Sequence, residues 1–132
     1  MRQPSGGNPV AIAASMATFE LLESGLLENC QAMGERFMRG LSRLREKYSE
    51  QISDLRGLGL MIGMEVVDNS VSNQPNLALR ERVVGECFRR GLVILGCGES
   101  SIRFSPPLVI DSEQVECALA ILDESIQFAL SA

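Results

Sequence analysis

The chain has 132 residues, 45% apolar and 22% charged, which is enough for one domain with a real core. Its net charge of −5 and scattered arginines provide no basic patch, so a nucleic-acid partner is excluded. No uninterrupted apolar run approaches the roughly 18 residues of a membrane span, and the start Met-Arg-Gln-Pro-Ser-Gly-Gly lacks a signal peptide's apolar segment. A cytoplasmic protein with no membrane partner is expected.

The four cysteines, Cys30, Cys87, Cys97 and Cys117, have no C-x-x-C spacing and read as small hydrophobes in a reducing cytosol. There is no histidine, which removes Ser-His and Cys-His nucleophile systems and the usual zinc ligands. The single lysine, Lys47, lies in a charged helix end, where a solvated surface role is expected. The chain alone is poorly equipped for catalysis.

Asn8-Pro9 predicts a helix start, since Asn caps well and Pro suits the first helical position. Glycines beside that start leave open an anion site at the helix end, although a plain cap is the simpler reading. From Val10 to Leu22 the segment is apolar on nearly every side, and Glu20 is its one charge. A helix of that kind belongs inside a larger protein, so something that covers it is missing. Ser24-Gly25 should break it.

A second helix is predicted from Leu26 to Tyr48, with Cys30, Met33, Phe37, Leu41, Leu44 and Tyr48 on one face. Ile52 to Leu55 and Leu60 to Val67 read as strands. A polar loop containing Pro75 leads to a helix from Leu77 to Arg90, with Gly91 just past its end. Leu92–Leu95 and Ile102–Phe104 read as short strands joined by a glycine-bearing loop that could leave room for a ligand. Asp111 caps a last helix, with Gln114 placed for a capping box. The fold class is α+β: a small, mostly antiparallel sheet of three to four strands, helices on one face, and a long apolar helix in front.

Arg103 is the most informative residue. It is a lone cation in an apolar stretch that resembles a buried strand, and its planar fork suits a carboxylate. Buried, it would need a partner, either Glu99 or a substrate. Arg56 follows Asp54 closely, which favours structural pairing. The run Arg56-Gly57-Leu58-Gly59-Leu60-Met61-Ile62-Gly63 is not a dinucleotide fingerprint, because its glycines precede a strand rather than open a helix. A tight turn is expected there, with Gly63 at a place where another backbone comes close.

Four blocks in order carry a resemblance: Gly6-Gly7-Asn8-Pro9-Val10-Ala11; Asp54 to Glu65; Gly91-Leu92-Val93-Ile94-Leu95; and Ile102-Arg103-Phe104-Ser105-Pro106-Pro107-Leu108. Together they resemble the class-III pyridoxal-phosphate-dependent aminotransferases, a family that includes acetylornithine, ornithine and 4-aminobutyrate transaminases and related amino-acid racemases. The resemblance implies a C-terminal part. Residues 1–24 would form a loop and an interdomain helix, and residues 25–132 the small domain. The Schiff-base lysine and the residues that hold pyridoxal phosphate would belong to a large domain outside this chain. It implies amino-acid and 2-oxo-acid substrates and a homodimer in the intact enzyme, with no cofactor bound by this chain alone. Arg103 falls on the arginine that binds a substrate carboxylate in many members. Ser5, beside Pro4, is nearest the place of a threonine that contacts cofactor phosphate. The alternative is a stand-alone small-molecule-binding or oligomerisation module of the same fold.

Overall fold

In a computed structural model residues 7–131 are described, so Ser5 and Pro4 lie outside the described residues. Helix α1 (Pro9–Leu21) starts as its sequence dictates: Asn8 Oδ1 accepts the Val10 N–H at 2.9 Å. A bend at Leu22–Leu26 follows. Ser24 and Gly25 leave helical geometry there, Gly25 at φ 117°, a region that glycine enters without penalty. Helix α2 (Leu27–Lys47) continues beyond the bend.

No residue of α1 is buried, and Val10, Met16 and Phe19 are 77%, 60% and 65% exposed. One expectation needs correction here. The helical stretch Pro9–Lys47 is long and apolar enough by composition to cross a membrane, because alanines and single polar residues interrupt the apolar run without lowering its mean hydropathy much. The bend lies inside it. Straight α1 has 13 residues, or ~20 Å, against a hydrocarbon core of ~30 Å.

The sheet has four strands: β1 (Ile52–Leu58), β2 (Met61–Val66), β3 (Leu95–Cys97) and β4 (Ser101–Phe104). Their order is β1-β2-β4-β3 and every pair is antiparallel. Gly59 opens the two-residue β1–β2 turn at φ 56°, as such hairpins require. A Cβ on Gly34 of α2 would stand 2.3 Å from the Gly59 carbonyl oxygen, so helix and turn touch backbone to backbone.

Helix α3 (Leu77–Arg89) ends as expected at Gly91, φ 89°. The Leu92 N–H reaches the Cys87 carbonyl at 2.8 Å and the Gly91 N–H reaches that of Phe88 at 3.1 Å, which closes the helix end. Helix α4 (Ser112–Ser131) starts with the expected reciprocal pair: the Gln114 N–H donates to Asp111 Oδ1 at 2.8 Å, and the Asp111 N–H to Gln114 Oε1 at 3.1 Å.

One face of the sheet is covered. Ile62, Met64, Ile102 and Phe104 pack in one buried cluster with Phe37 and Leu41 of α2, Val83 of α3, and Val115 and Leu122 of α4. The Phe37 and Phe104 rings meet edge to face at 5.3 Å. Gly40 lets α2 and α4 approach, since a Cβ there would stand 2.1 Å from Leu119 Cδ1. On the other face Asp54, Arg56, Leu58, Met61, Leu95 and Arg103 are exposed. Of the cysteines, Cys87 is buried, Cys30 and Cys97 are half-buried, and Cys117 is exposed.

Candidate functional site

Alternation along antiparallel strands places side chains in rows across the open face. One row runs Asp54, Glu65, Ser101, Cys97; the next runs Arg56, Gly63, Arg103, Leu95. Arg56 and Arg103 therefore flank Gly63. With strands ~4.8 Å apart, their Cα atoms are separated by ~10 Å.

The two arginines differ in company. Arg56 donates to Asp54 Oδ2 at 2.7 Å, to Glu65 Oε2 at 3.2 Å and to Ser101 Oγ at 3.0 Å. Glu65 also accepts from Ser100 Oγ at 2.6 Å and from Ser101 Oγ. Burial pushes the Glu65 carboxyl up, but the hydrogen bonds from Ser100, Ser101 and Arg56 outweigh it and hold its pKa below the usual value. The Asp54–Arg56 pairing read from the sequence is present.

The Arg103 side chain forms no hydrogen bond or ion pair with any described residue. The expectation that its strand is buried on both sides does not hold. Ile102 and Phe104 face the core and Arg103 faces outward, because a period of two puts neighbours on opposite faces. Glu99 does not pair with it. Arg103 is also among the residues around a hollow of about 410 Å³ whose other walls include Phe37 of α2, Phe104, Pro106, Pro107 and Ala118 of α4, on the helix side of the sheet. An exposed, unpaired guanidinium can take a carboxylate by a bidentate pair.

Two further expectations change. The loop before Arg103 is not a ligand space. Strand β3 begins at Leu95 rather than Leu92, and the turn after it, Gly98-Glu99-Ser100, is docked on Arg80 of α3. Arg80 is 9% exposed, and its Nη1 points at the carbonyls of Gly98, Cys97 and Glu99 at 3.2, 3.4 and 3.5 Å. Gly63 does not admit another backbone: a Cβ there would meet only the Arg56 side chain, at 3.7 Å. The close backbone approach is at Gly57 instead, where a Cβ would stand 2.5 Å from the Met61 carbonyl oxygen. Sequence reasoning missed Arg80 and Glu65. Arg80 left one signal, since its spacing from Val83 and Cys87 puts a charge on the apolar side of its helix.

Lys47 belongs to the helix layer. Its Nζ contacts both Asp123 carboxylate oxygens, at 2.7 and 2.8 Å, and Tyr48 donates to Asp123 Oδ1 at 2.6 Å. Among the described residues no three His, Cys, Asp or Glu side chains are grouped to hold a metal.

These features define a class of structure: a four-stranded antiparallel sheet, helices on one face, and an arginine offered on the other. Residues 5–126 match the class-III aminotransferase family, and the chain belongs to it. It is 38% identical over 121 residues to a 5-aminovalerate aminotransferase of Pseudomonas aeruginosa, covering 89% of this chain and 28% of that protein. It is 37% identical over 127 residues to an alanine/serine racemase of Pyrococcus horikoshii, covering 94% of this chain and 26% of that one. A Bacillus anthracis aminotransferase crystal structure superposes with a TM-score of 0.88 at 28% identity, over 97% of this chain and 30% of that chain. The chain thus spans between a quarter and a third of the relatives it matches.

The family implies pyridoxal phosphate in the intact enzyme. The described residues include no free lysine on the open sheet face to hold that group. It requires a free lysine amine, and Lys47, the one lysine, is bound to Asp123 away from the open sheet face.

Proposed function

We propose that this chain is the C-terminal small domain of a cytoplasmic, homodimeric class-III aminotransferase. The enzyme moves an amino group between an (omega-)amino acid and a 2-oxo acid. Pyridoxal phosphate and the lysine that binds it belong to a large domain of the same polypeptide. Alone, the chain is inactive. Residues 1–24 lead into the small domain of residues 25–132, and the large domain covers α1, whose apolar side chains are left exposed by the described residues.

The chain's contribution to the site is Arg103. It holds the substrate carboxylate and so fixes where the amino group stands relative to the cofactor, which carries the electronic work. One observation supports this. Of the two arginines on the open face, Arg56 has three partners and Arg103 has none among the described residues. Ser5, outside the described residues, is proposed to stand near cofactor phosphate across the dimer.

The test is an assay of the full-length polypeptide with pyridoxal phosphate, an amino donor and a 2-oxo acid. Appearance of the new amino acid supports transamination. The similarity to the alanine/serine racemase favours one second reading, a racemase. Inversion of a single amino acid with no 2-oxo acid present would select it. No reaction under either condition would favour a binding or oligomerisation module.

A further inference from the structure

The turn that precedes Arg103 is gripped from both faces of the sheet by opposite charges. From the helix side, buried Arg80 directs Nη1 at the Cys97, Gly98 and Glu99 carbonyls, while its Nε donates to Glu81 at 3.0 Å. From the open side, Glu65 accepts the hydroxyls of Ser100 and Ser101. Ser100 is wholly buried, and its carbonyl accepts the Val66 N–H at 3.2 Å.

Gly96 makes the helix-side grip geometrically available. It pairs with Ile102, so its missing side chain would point toward the helices. A Cβ there would stand 2.8 Å from Arg80 Nε and 2.9 Å from Cζ, closer than such atoms approach. Leu95, the neighbour of Gly96, is the residue opposite Arg103. The Arg80–turn contact thus lies at the end of the β3–β4 pairing that seats Leu95 beside Arg103.

A surface strand at a sheet edge has little else to hold it. β3 has three residues, and only β4 flanks it. A buried guanidinium is costly unless its donors are met: Glu81 takes Nε and Nη2 of Arg80, and the turn carbonyls meet Nη1.

We propose that Arg80 is a positioning residue for the carboxylate-binding Arg103, acting through the β3–β4 turn, with Gly96 as the space that admits it. This rests on the reading of Arg103 given above. Arg80 itself touches no substrate.

The experiment uses the full-length enzyme, four single variants (Arg80→Met, Arg80→Lys, Gly96→Ala and Arg103→Lys) and two double variants built from them. Each is checked for its melting temperature and for KM and kcat with a carboxylate-bearing amino donor and with the matching amine that lacks the carboxylate. Arg80→Met and Gly96→Ala should each raise KM for the carboxylate substrate about tenfold, a fraction of what an ångström of misplacement can cost. The carboxylate-free amine should be unaffected. Arg80→Lys should recover part of the loss. The double variant Arg80→Met with Gly96→Ala should be no worse than Arg80→Met, because the alanine then displaces nothing. In the Arg103→Lys background, Arg80→Met should add no further rise.

A lower melting temperature with KM unchanged in both Arg80→Met and Gly96→Ala would overturn the proposal and leave Arg80 a purely structural residue. If Arg80→Met does not fold, Gly96→Ala and Arg80→Lys decide by the same criterion. If Arg103→Lys itself leaves KM unchanged, the underlying reading of Arg103 fails instead. If Arg103→Lys raises KM and the Arg80 and Gly96 variants do not, only the present inference fails.

Discussion

Arg56 stands directly across β2 from Arg103, with Gly63 between them, and the two have opposite surroundings. Arg56 is compensated by Asp54 and Glu65. The Arg103 side chain, on the other side of Gly63, has no hydrogen-bond or ion-pair partner among the described residues. A pair of identical side chains in one row is thereby divided into a structural one and an available one.

The Glu65 network gives the fold an acid limit. Glu65 and Asp123 both titrate below their ordinary values of 4.5 and 3.8; in each, burial opposes the shift and hydrogen bonds outweigh it. A depressed carboxyl contributes stability that is fully present above its unfolded value and is lost as pH falls through its folded value. Tyr48 is shifted upward from 10.0, by burial first and then by its bond to Asp123, so its contribution is present below 10 and lost as pH rises through the folded value. Urea unfolding across pH should therefore show stability falling below pH ~4 and again above pH ~10. Glu65→Gln should destabilise at neutral pH by about 1–3 kcal/mol and flatten the acid limb.

Two glycine substitutions should have opposite signs. Gly34→Ala puts a Cβ against the Gly59 backbone and should destabilise by about 1–3 kcal/mol. Gly85→Ala, inside α3 with nothing within 4 Å of its Cβ, should stabilise by about 0.5–1 kcal/mol. Thermal melts of the two variants beside the parent chain check both. Equal shifts would contradict the packing described for Gly34.

The isolated chain should hide α1. With Val10, Met16 and Phe19 exposed, it should dimerise or bind a hydrophobic dye. Sedimentation that finds a monomer which binds no dye would mean that α1 is covered some other way.

Mixing the isolated chain with pyridoxal phosphate should give no specific internal-aldimine absorbance. Lys47 lies in the helix layer, paired with Asp123 and half exposed, with no built cofactor site around it among the described residues. A new specific band that disappears in Lys47→Met would contradict this.

Most of the fold was legible because its helix ends are written in single residues: Asn8, Gly25, Gly91, and Asp111 with Gln114. The sheet was legible as alternation in β2. Position on the short strands was not. A three-residue strand carries too little pattern to fix its limits, so β3 was read three residues early. The face of Arg103 was misjudged because its apolar neighbours at 102 and 104 share one side, and composition alone does not separate faces. Arg80 was missed for a related reason: its partners are backbone carbonyls, which leave no trace in the residue types of the turn. The lone cation at 103 was legible in the sequence; the Arg80 contact with the turn before it was not.

The most direct test of the central claim is steady-state kinetics of Arg103→Lys and Arg103→Met in the full-length enzyme. Both should raise KM for the carboxylate substrate and lower kcat/KM, with a loss of about 1.5–3 kcal/mol in transition-state binding for the lysine variant. Unchanged KM and kcat/KM in both variants, with the fold intact, would remove Arg103 from the substrate site.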